Sequence, residues 1–293
     1  MDFEIWCQGL FSLPFALPGS PFARARQARK RLLLRLGAVL QNAQAAAAAG
    51  APLAAGGLDL LAGGLDEAGI PLADDDVAEQ LLLLLFAGYE TTASSLSCLL
   101  LTLLQHPKEL AWLLEELDGL PWPPAAAEAV SAYDALRAPR LDAVVKEVMR
   151  LTPPVGGFFR RTREPIALAG VLVPAERVVQ VSISASQRHG ADPEDLAAFR
   201  PQRHLEGDET VTLLPFGGGE RVCLGKALAE LEIRLLAVGL LKQLSLDLEP
   251  DQDLTLVVIP SPTPKQGLLV RASRRGAAGQ AKAGPPDAPE AQT

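Results

Sequence analysis

Cys223 stands in Phe216-Gly217-Gly218-Gly219-Glu220-Arg221-Val222-Cys223-Leu224-Gly225, a glycine-rich loop that runs into a helix-forming stretch. Three consecutive glycines permit positive φ and let the backbone come close to a flat partner. Lys226 to Arg234 reads as a helix opening just after the cysteine, which places Cys223 at a helix N-terminus. The positive end of the helix dipole, unpaired N–H groups and the nearby Arg221 all favour thiolate over thiol there. Such a thiolate is a ligand for a soft or borderline metal such as iron. The plainer alternative is a small buried hydrophobe, the commoner fate of a free cysteine, but a core cysteine needs neither the glycines nor the arginine.

Two further groupings carry chemistry. Ala87-Gly88-Tyr89-Glu90-Thr91-Thr92 puts small residues where a helix can lie against a flat cofactor, with Thr91 on the face of Ala87. A threonine hydroxyl there can bond to the carbonyl four residues back and open the helix for water or dioxygen. The adjacent Glu90 and Thr91 form an acid–alcohol pair able to deliver protons, though an acid beside a threonine is commonplace in helices. Glu147 and Arg150 stand three apart on a helix, a spacing that usually means a surface ion pair of about 0.2–0.5 kcal/mol.

These groups need elements to hold them, and the chain reads mostly as helix. Helical spacing covers Phe22 to Leu40 after a turn at Leu17-Pro18-Gly19-Ser20-Pro21. Ala43 to Gly57 is low in complexity, part helix and part loop, and Leu58 to Ala68 reads as a short helix. Pro71 to Asp76 supplies a turn and an acidic cap for a long helix from Val77 to about Gln105. Lys108 to Leu117 and Arg140 to Leu151 are further helices, the latter ended by Pro153-Pro154. Ile166 to Leu172 and Arg177 to Ile183 read as strands, the cysteine helix runs to about Leu244, and Leu254 to Val270 has strand signals broken by prolines. Residues 275–293 have no periodicity and read as a disordered tail after a domain spanning 1–274.

Of the 293 residues, 48% are hydrophobic and 21% charged, as in a soluble globular protein with a large core. A net charge of −8 and the lack of a basic run argue against nucleic-acid binding. Cys7, Cys98 and Cys223 are odd in number and far apart, which points to a reducing compartment. The N-terminus has neither a basic nor a long apolar region, so no signal peptide or membrane anchor is expected and the location expected is the cytoplasm. The apolar run from Leu81 to Leu104 is interrupted at its centre by Glu90, which suits a buried core helix better than a membrane span.

The cysteine loop, Phe-x-x-Gly-x-Arg-x-Cys-x-Gly, closely resembles the haem-binding signature of the cytochrome P450 superfamily. The resemblance runs from about Phe3 to Val270 and implies a mainly α fold with small β-sheets, corresponding to the C-terminal two-thirds of that family's fold. It implies haem b with Cys223 as proximal ligand, and cofactor contacts from Ala87, Gly88, Phe216, Gly219 and Gly225. It implies propionate partners at Arg160, in Val155-Gly156-Gly157-Phe158-Phe159-Arg160, and at Arg221, arginine's planar fork being suited to carboxylates. Glu90-Thr91 resembles the oxygen-activation motif, and Glu147, Arg150 and Arg203 resemble a buried structural network. The position after Arg203 departs from the pattern, with His204 where the family usually has an aromatic hydrocarbon.

Gly9-Leu10-Phe11-Ser12-Leu13-Pro14, Leu17-Pro18-Gly19, Ala28-Arg29 and Pro154-Val155-Gly156-Gly157-Phe158 look like the retinoic-acid hydroxylases and their cyanobacterial relatives. That likeness implies an apolar substrate, retinoid- or fatty-acid-like, walled by Phe86, Ala87, Val155, Phe158 and Ile259, with O2 as co-substrate and a ferredoxin or flavoprotein as electron donor. In the family a long N-terminal part precedes the segment found here at residues 3–40. Nothing in this chain corresponds to it, so the expectation is a truncated gene, a misplaced start or a second chain. The activity implied is a monooxygenase. The alternatives are a haem-binding remnant or sensor without turnover, and a peroxide-using haem-thiolate enzyme, against which Glu90-Thr91 argues.

Overall fold

The computed structural model describes residues 2–49, 58, 61, 63–66, 68–120, 122, 138–190, 192–207 and 211–275. The chain divides into two compact units, Met1–Tyr89 and Glu90–Thr293. In the first, α1 (Asp2–Leu10) packs on α2 (Pro21–Ala48). Ser20 caps α2 by accepting the Ala23 N–H at 3.1 Å, and Pro21 opens it where a missing N–H costs nothing. The two helices approach so closely that a Cβ on Gly9 would lie 2.0 Å from that of Ala25. Trp6, Cys7, Ala28 and Leu82 form this unit's core, with Phe86 packed against it.

Helix α3 (Asp74–Gln105) carries Asp74, Asp75 and Asp76 in its first turn, where the helix dipole favours them. Its second half is core: Ser94, Ser95, Cys98, Leu99, Leu101 and Leu103 are buried. Its first half corrects the expectation of a helix buried throughout, because Leu83, Leu84 and Leu85 are exposed while Val77, Ala78 and Leu82 are covered. Composition sets an apolar helix but not how much of its circumference is packed. By length and composition α3 would also be long and apolar enough to cross a membrane.

The second unit's core joins that half of α3 to α4 (Pro107–Asp118), α5 (Pro139–Leu151) and α9 (Lys226–Gln243) through Leu99, Leu113, Leu117, Val144, Val148, Ala237 and Leu241. Lys242 closes the α4 C-terminus, its Nζ donating to the carbonyls of Leu117 at 2.5 Å and Leu120 at 2.7 Å. Between α5 and α9 lie three short helices, α6 (Ile183–Ser186), α7 (Pro193–Ala197) and α8 (Arg203–Glu206).

All sheets among the described residues are two-stranded and antiparallel. Strand β1 (Gly157–Arg161) pairs with β4 (Val178–Ser182), and β2 (Ile166–Leu168) with β3 (Val171–Val173). The single strand expected over 166–172 is therefore a hairpin, turning at Ala169-Gly170 with positive φ at both. Strand β5 (Leu244–Leu248) pairs with β8 (Val270–Arg274), and β6 (Leu256–Val257) with β7 (Thr263–Pro264). The helix expected over 58–68 does not extend through its described end, where Leu65 bridges Pro71 and the Asp66 carboxylate accepts the N–H groups of Ala68 and Ile70. Most of the expected tail lies outside the described residues.

Candidate functional site

The cysteine loop is built from backbone bonds. Gly217, at φ +69°, donates its N–H to the Leu214 carbonyl at 2.9 Å. Gly219, also at φ +69°, opens one 3-10 turn over Gly219–Arg221. The Cys223 N–H then returns to the Phe216 carbonyl at 3.0 Å, and α9 begins with Gly225 as its N-cap. Those φ values are ones L side chains rarely adopt, which is why glycines occupy them. The result presents Cys223 as a free, exposed thiol at a helix start, unlike Cys7 and Cys98, which are buried.

Beside the loop lies an open cleft of about 530 Å³ lined by Arg160, Arg161, Arg163, Gly218, Gly219, Glu220 and Arg221. The expected propionate partners Arg160 and Arg221 thus line the same cleft. Strand β1 sets Arg160, whose guanidinium lies 4.2 Å from the Phe158 ring centroid. Phe158 in turn sits under the loop, 3.8 Å from where a Cβ on Gly217 would be. Such a guanidinium-rich cleft suits carboxylates.

Helix α3 carries Ala87 and Gly88 exposed at the end of the first unit, with open space where a Gly88 Cβ would be. Glu90 and Thr91 begin the second unit, both half-buried. One turn on, the Ser95 hydroxyl donates to the Thr91 carbonyl at 2.9 Å. Ser94 and Cys98 both donate to the Pro262 carbonyl, at 2.6 and 3.3 Å, pinning the β6–β7 turn to the helix. Burial pushes the Cys98 thiol up, against opposing contacts with Thr152 and Ser94. Of the expected substrate wall, Phe158 is half-buried, Val155 and Ile259 are exposed, and Phe86 stacks edge-on against Trp6 at 5.6 Å within the first unit.

Glu147, Arg150 and Arg203 are fully buried, so the surface ion pair suggested by spacing alone is instead an internal network. The Arg150 fork meets Glu147 at 2.8 and 2.9 Å, and the Arg203 Nε meets it at 3.0 Å. Arg150 also donates to the Leu196 carbonyl at 2.7 Å, and Arg203 to the Asp195 carboxylate at 2.8 Å. His204, where the sequence departs from pattern, belongs to the network: its Nε2 lies 2.8 Å from a Glu147 oxygen. Burial pushes the Glu147 carboxyl up, but the bonds from Arg150, His204 and the Arg200 N–H and the Arg150 charge outweigh it and hold it at about 2.

Sequence reasoning missed His204 as a partner, Gln187 and the Ser94–Cys98 pair. The signal for His204 was present in its adjacency to Arg203. No local signal marks the others, whose partners are distant in sequence.

Among the described residues no three His, Cys, Asp or Glu side chains converge to hold a metal ion. A porphyrin brings its iron's other ligands with it, so a single exposed thiol at Cys223 and a cleft of arginines suited to carboxylates fit a haem. The class so defined is haem-thiolate. The chain belongs to the cytochrome P450 family, whose profile matches residues 7–272. It is 38% identical over 277 residues to cytochrome P450 120 of Synechocystis sp., covering 92% of this chain and 60% of that protein. It is 34% identical over 286 residues to human cytochrome P450 26B1, covering 92% and 54%. The structure of retinoic acid-bound cyanobacterial CYP120A1 aligns with a TM-score of 0.79 at 37% identity, over 93% of this chain and 62% of that one. The chain thus spans a little over half the length of these relatives.

Proposed function

We propose that this chain carries the haem-bearing part of a cytoplasmic monooxygenase that places one oxygen atom of O2 into a C–H bond of a long apolar substrate. The other oxygen leaves as water, with two electrons from a ferredoxin or flavoprotein and two protons. The observation that carries this reading is the presentation of Cys223 beside the Arg160–Arg221 cleft.

Cys223 would hold the iron, Arg160 and Arg221 the propionates, and Phe216, Gly219 and Gly225 shape the bend that admits the ring. When bound, the haem supplies dioxygen binding and activation, with the thiolate pushing electron density towards O–O cleavage. The chain's own residues deliver protons and position substrate. The Thr91 hydroxyl would hold a proton at this point of α3, and the Glu90 carboxyl next to it in sequence would relay its replacement from water. Ala87 and Gly88 leave the face of α3 flat. Val155, Phe158 and Ile259 supply apolar surface for a retinoid- or fatty-acid-like chain, a substrate class supported by the retinoic acid in the CYP120A1 structure.

The test is the carbon monoxide spectrum of the reduced, haem-loaded protein. A strongly red-shifted Soret band is expected, and Cys223→Ala should abolish it. An unshifted band in the unsubstituted protein would sink the assignment.

A further inference from the structure

We infer that Gln187 is a positioning residue, the side-chain link through which α5 and its buried ion network set the place of the cysteine loop. The inference rests on the proposed role of Cys223. Gln187 is 1% exposed, and its carboxamide is bonded at both ends. Its Nε2 donates to the carbonyls of Met149 and Arg150, each at 3.1 Å. These belong to the last turn of α5, where carbonyls have no partner within the helix. Its Oε1 accepts the Leu214 N–H at 2.8 Å. The linkage to α5 is reciprocal, because the Arg150 Nη1 donates back to the Gln187 carbonyl at 3.3 Å.

Leu214 is where the loop's backbone ladder starts. Its carbonyl accepts the Gly217 N–H at 2.9 Å, and the Phe216 carbonyl between them accepts the Cys223 N–H at 3.0 Å. Among the described residues, Gln187 is the one side chain hydrogen-bonded to the backbone of 211–225. A loop of glycines presents few side chains by which a neighbour can fix it, Phe216 on the core being one, so this buried amide adds a directional hold that the glycines cannot supply.

Hydrogen exchange on the haem-free chain tests the link without the cofactor. Gln187→Leu puts an apolar side chain of similar size in place of the carboxamide and loses all three bonds. It should speed exchange of the Cys223 amide at least about tenfold, the loss of roughly one hydrogen bond's worth of protection, while amides of mid-α5 and mid-α9 keep theirs. Gln187→Glu, the second variant should the first not fold, keeps the acceptor for Leu214 but loses both donations, and should speed Cys223 exchange likewise. In haem-loaded protein either variant should convert the carbon monoxide adduct faster from the red-shifted to the unshifted Soret band. If Leu214 exchanges faster while Cys223 exchange and band conversion stay unchanged, the link is refuted. An unshifted band in unsubstituted protein, with Cys223 exchange still responding to the variants, would overturn the haem-thiolate reading alone.

Discussion

Glu147→Gln is the substitution whose effect the structure sizes most directly. The carboxylate is fully buried and accepts from Arg150 twice, from Arg203, from the Arg200 N–H and from His204. A neutral amide of the same shape leaves the Arg150 and Arg203 guanidiniums without their shared countercharge, and breaking a buried ion pair from one side costs about 3–5 kcal/mol. The depressed carboxyl, which reflects the same bonds, points to a similar magnitude. Glu147 sits at about 2 in the folded chain against an ordinary 4.5, worth about 3 kcal/mol at about 1.4 kcal/mol per pH unit. Because the folded value is the lower one, this stability is complete above pH 4.5 and is lost as pH falls from there to about 2. By calorimetry at pH 7, Glu147→Gln should melt about 6–12 °C lower than the unsubstituted chain, at ~2–4 °C per kcal/mol. Between pH 4.5 and 2 the gap should close, since the native carboxyl becomes neutral too. A loss under about 1 kcal/mol at pH 7, or a gap that persists unchanged into acid, would refute the reasoning.

Two further outcomes are expected. His204→Phe restores the aromatic hydrocarbon usual at that position but deletes a 2.8 Å bond to Glu147, so it should lower stability by about 1–2 kcal/mol in denaturant titration. Thr91→Ala in the electron-supplied enzyme should raise hydrogen peroxide release at the expense of product, measured as the ratio of the two per reductant consumed. Unchanged coupling would remove Thr91 from proton delivery.

The starts of four helices were legible to within three residues because local chemistry writes them, at Pro21, Pro107 and Pro139 and at the acidic run Asp74–Asp76, whereas the helix Asp2–Leu10 and the extension of α2 to Ala48 were not. The cysteine loop was legible for the same reason, Gly217 and Gly219 falling where positive φ is required. Strand β1 escaped because Gly-Phe-Phe-Arg-Arg has no period-two alternation, and its pairing depends on Gly157 approaching the Val181 carbonyl, where a Cβ would be 2.5 Å away. Spacing placed Glu147 and Arg150 as a pair but had no information on burial, which depends on α7 and α8 folding over them.

What stayed hidden has a common cause. The groups that fix the site's geometry act across long separations in sequence: Ser94 on the Pro262 carbonyl, Gln187 on Leu214, His204 on Glu147. Each is a single polar side chain whose partner lies far along the chain, and apart from His204's adjacency to Arg203 no local pattern distinguishes it from a surface residue. The loop that presents Cys223 has little of its own to hold it, since flat approach to a ring and many anchoring side chains exclude one another at the same glycines. Besides the packing of Phe216 on the core, its position is set from outside by directional bonds, because hydrogen bonds fix distance and angle where apolar contact fixes only proximity. On that account the substitutions most damaging to the thiolate's placement lie not beside Cys223, where Val222 and Leu224 are exposed, but in buried polar groups around the end of α5.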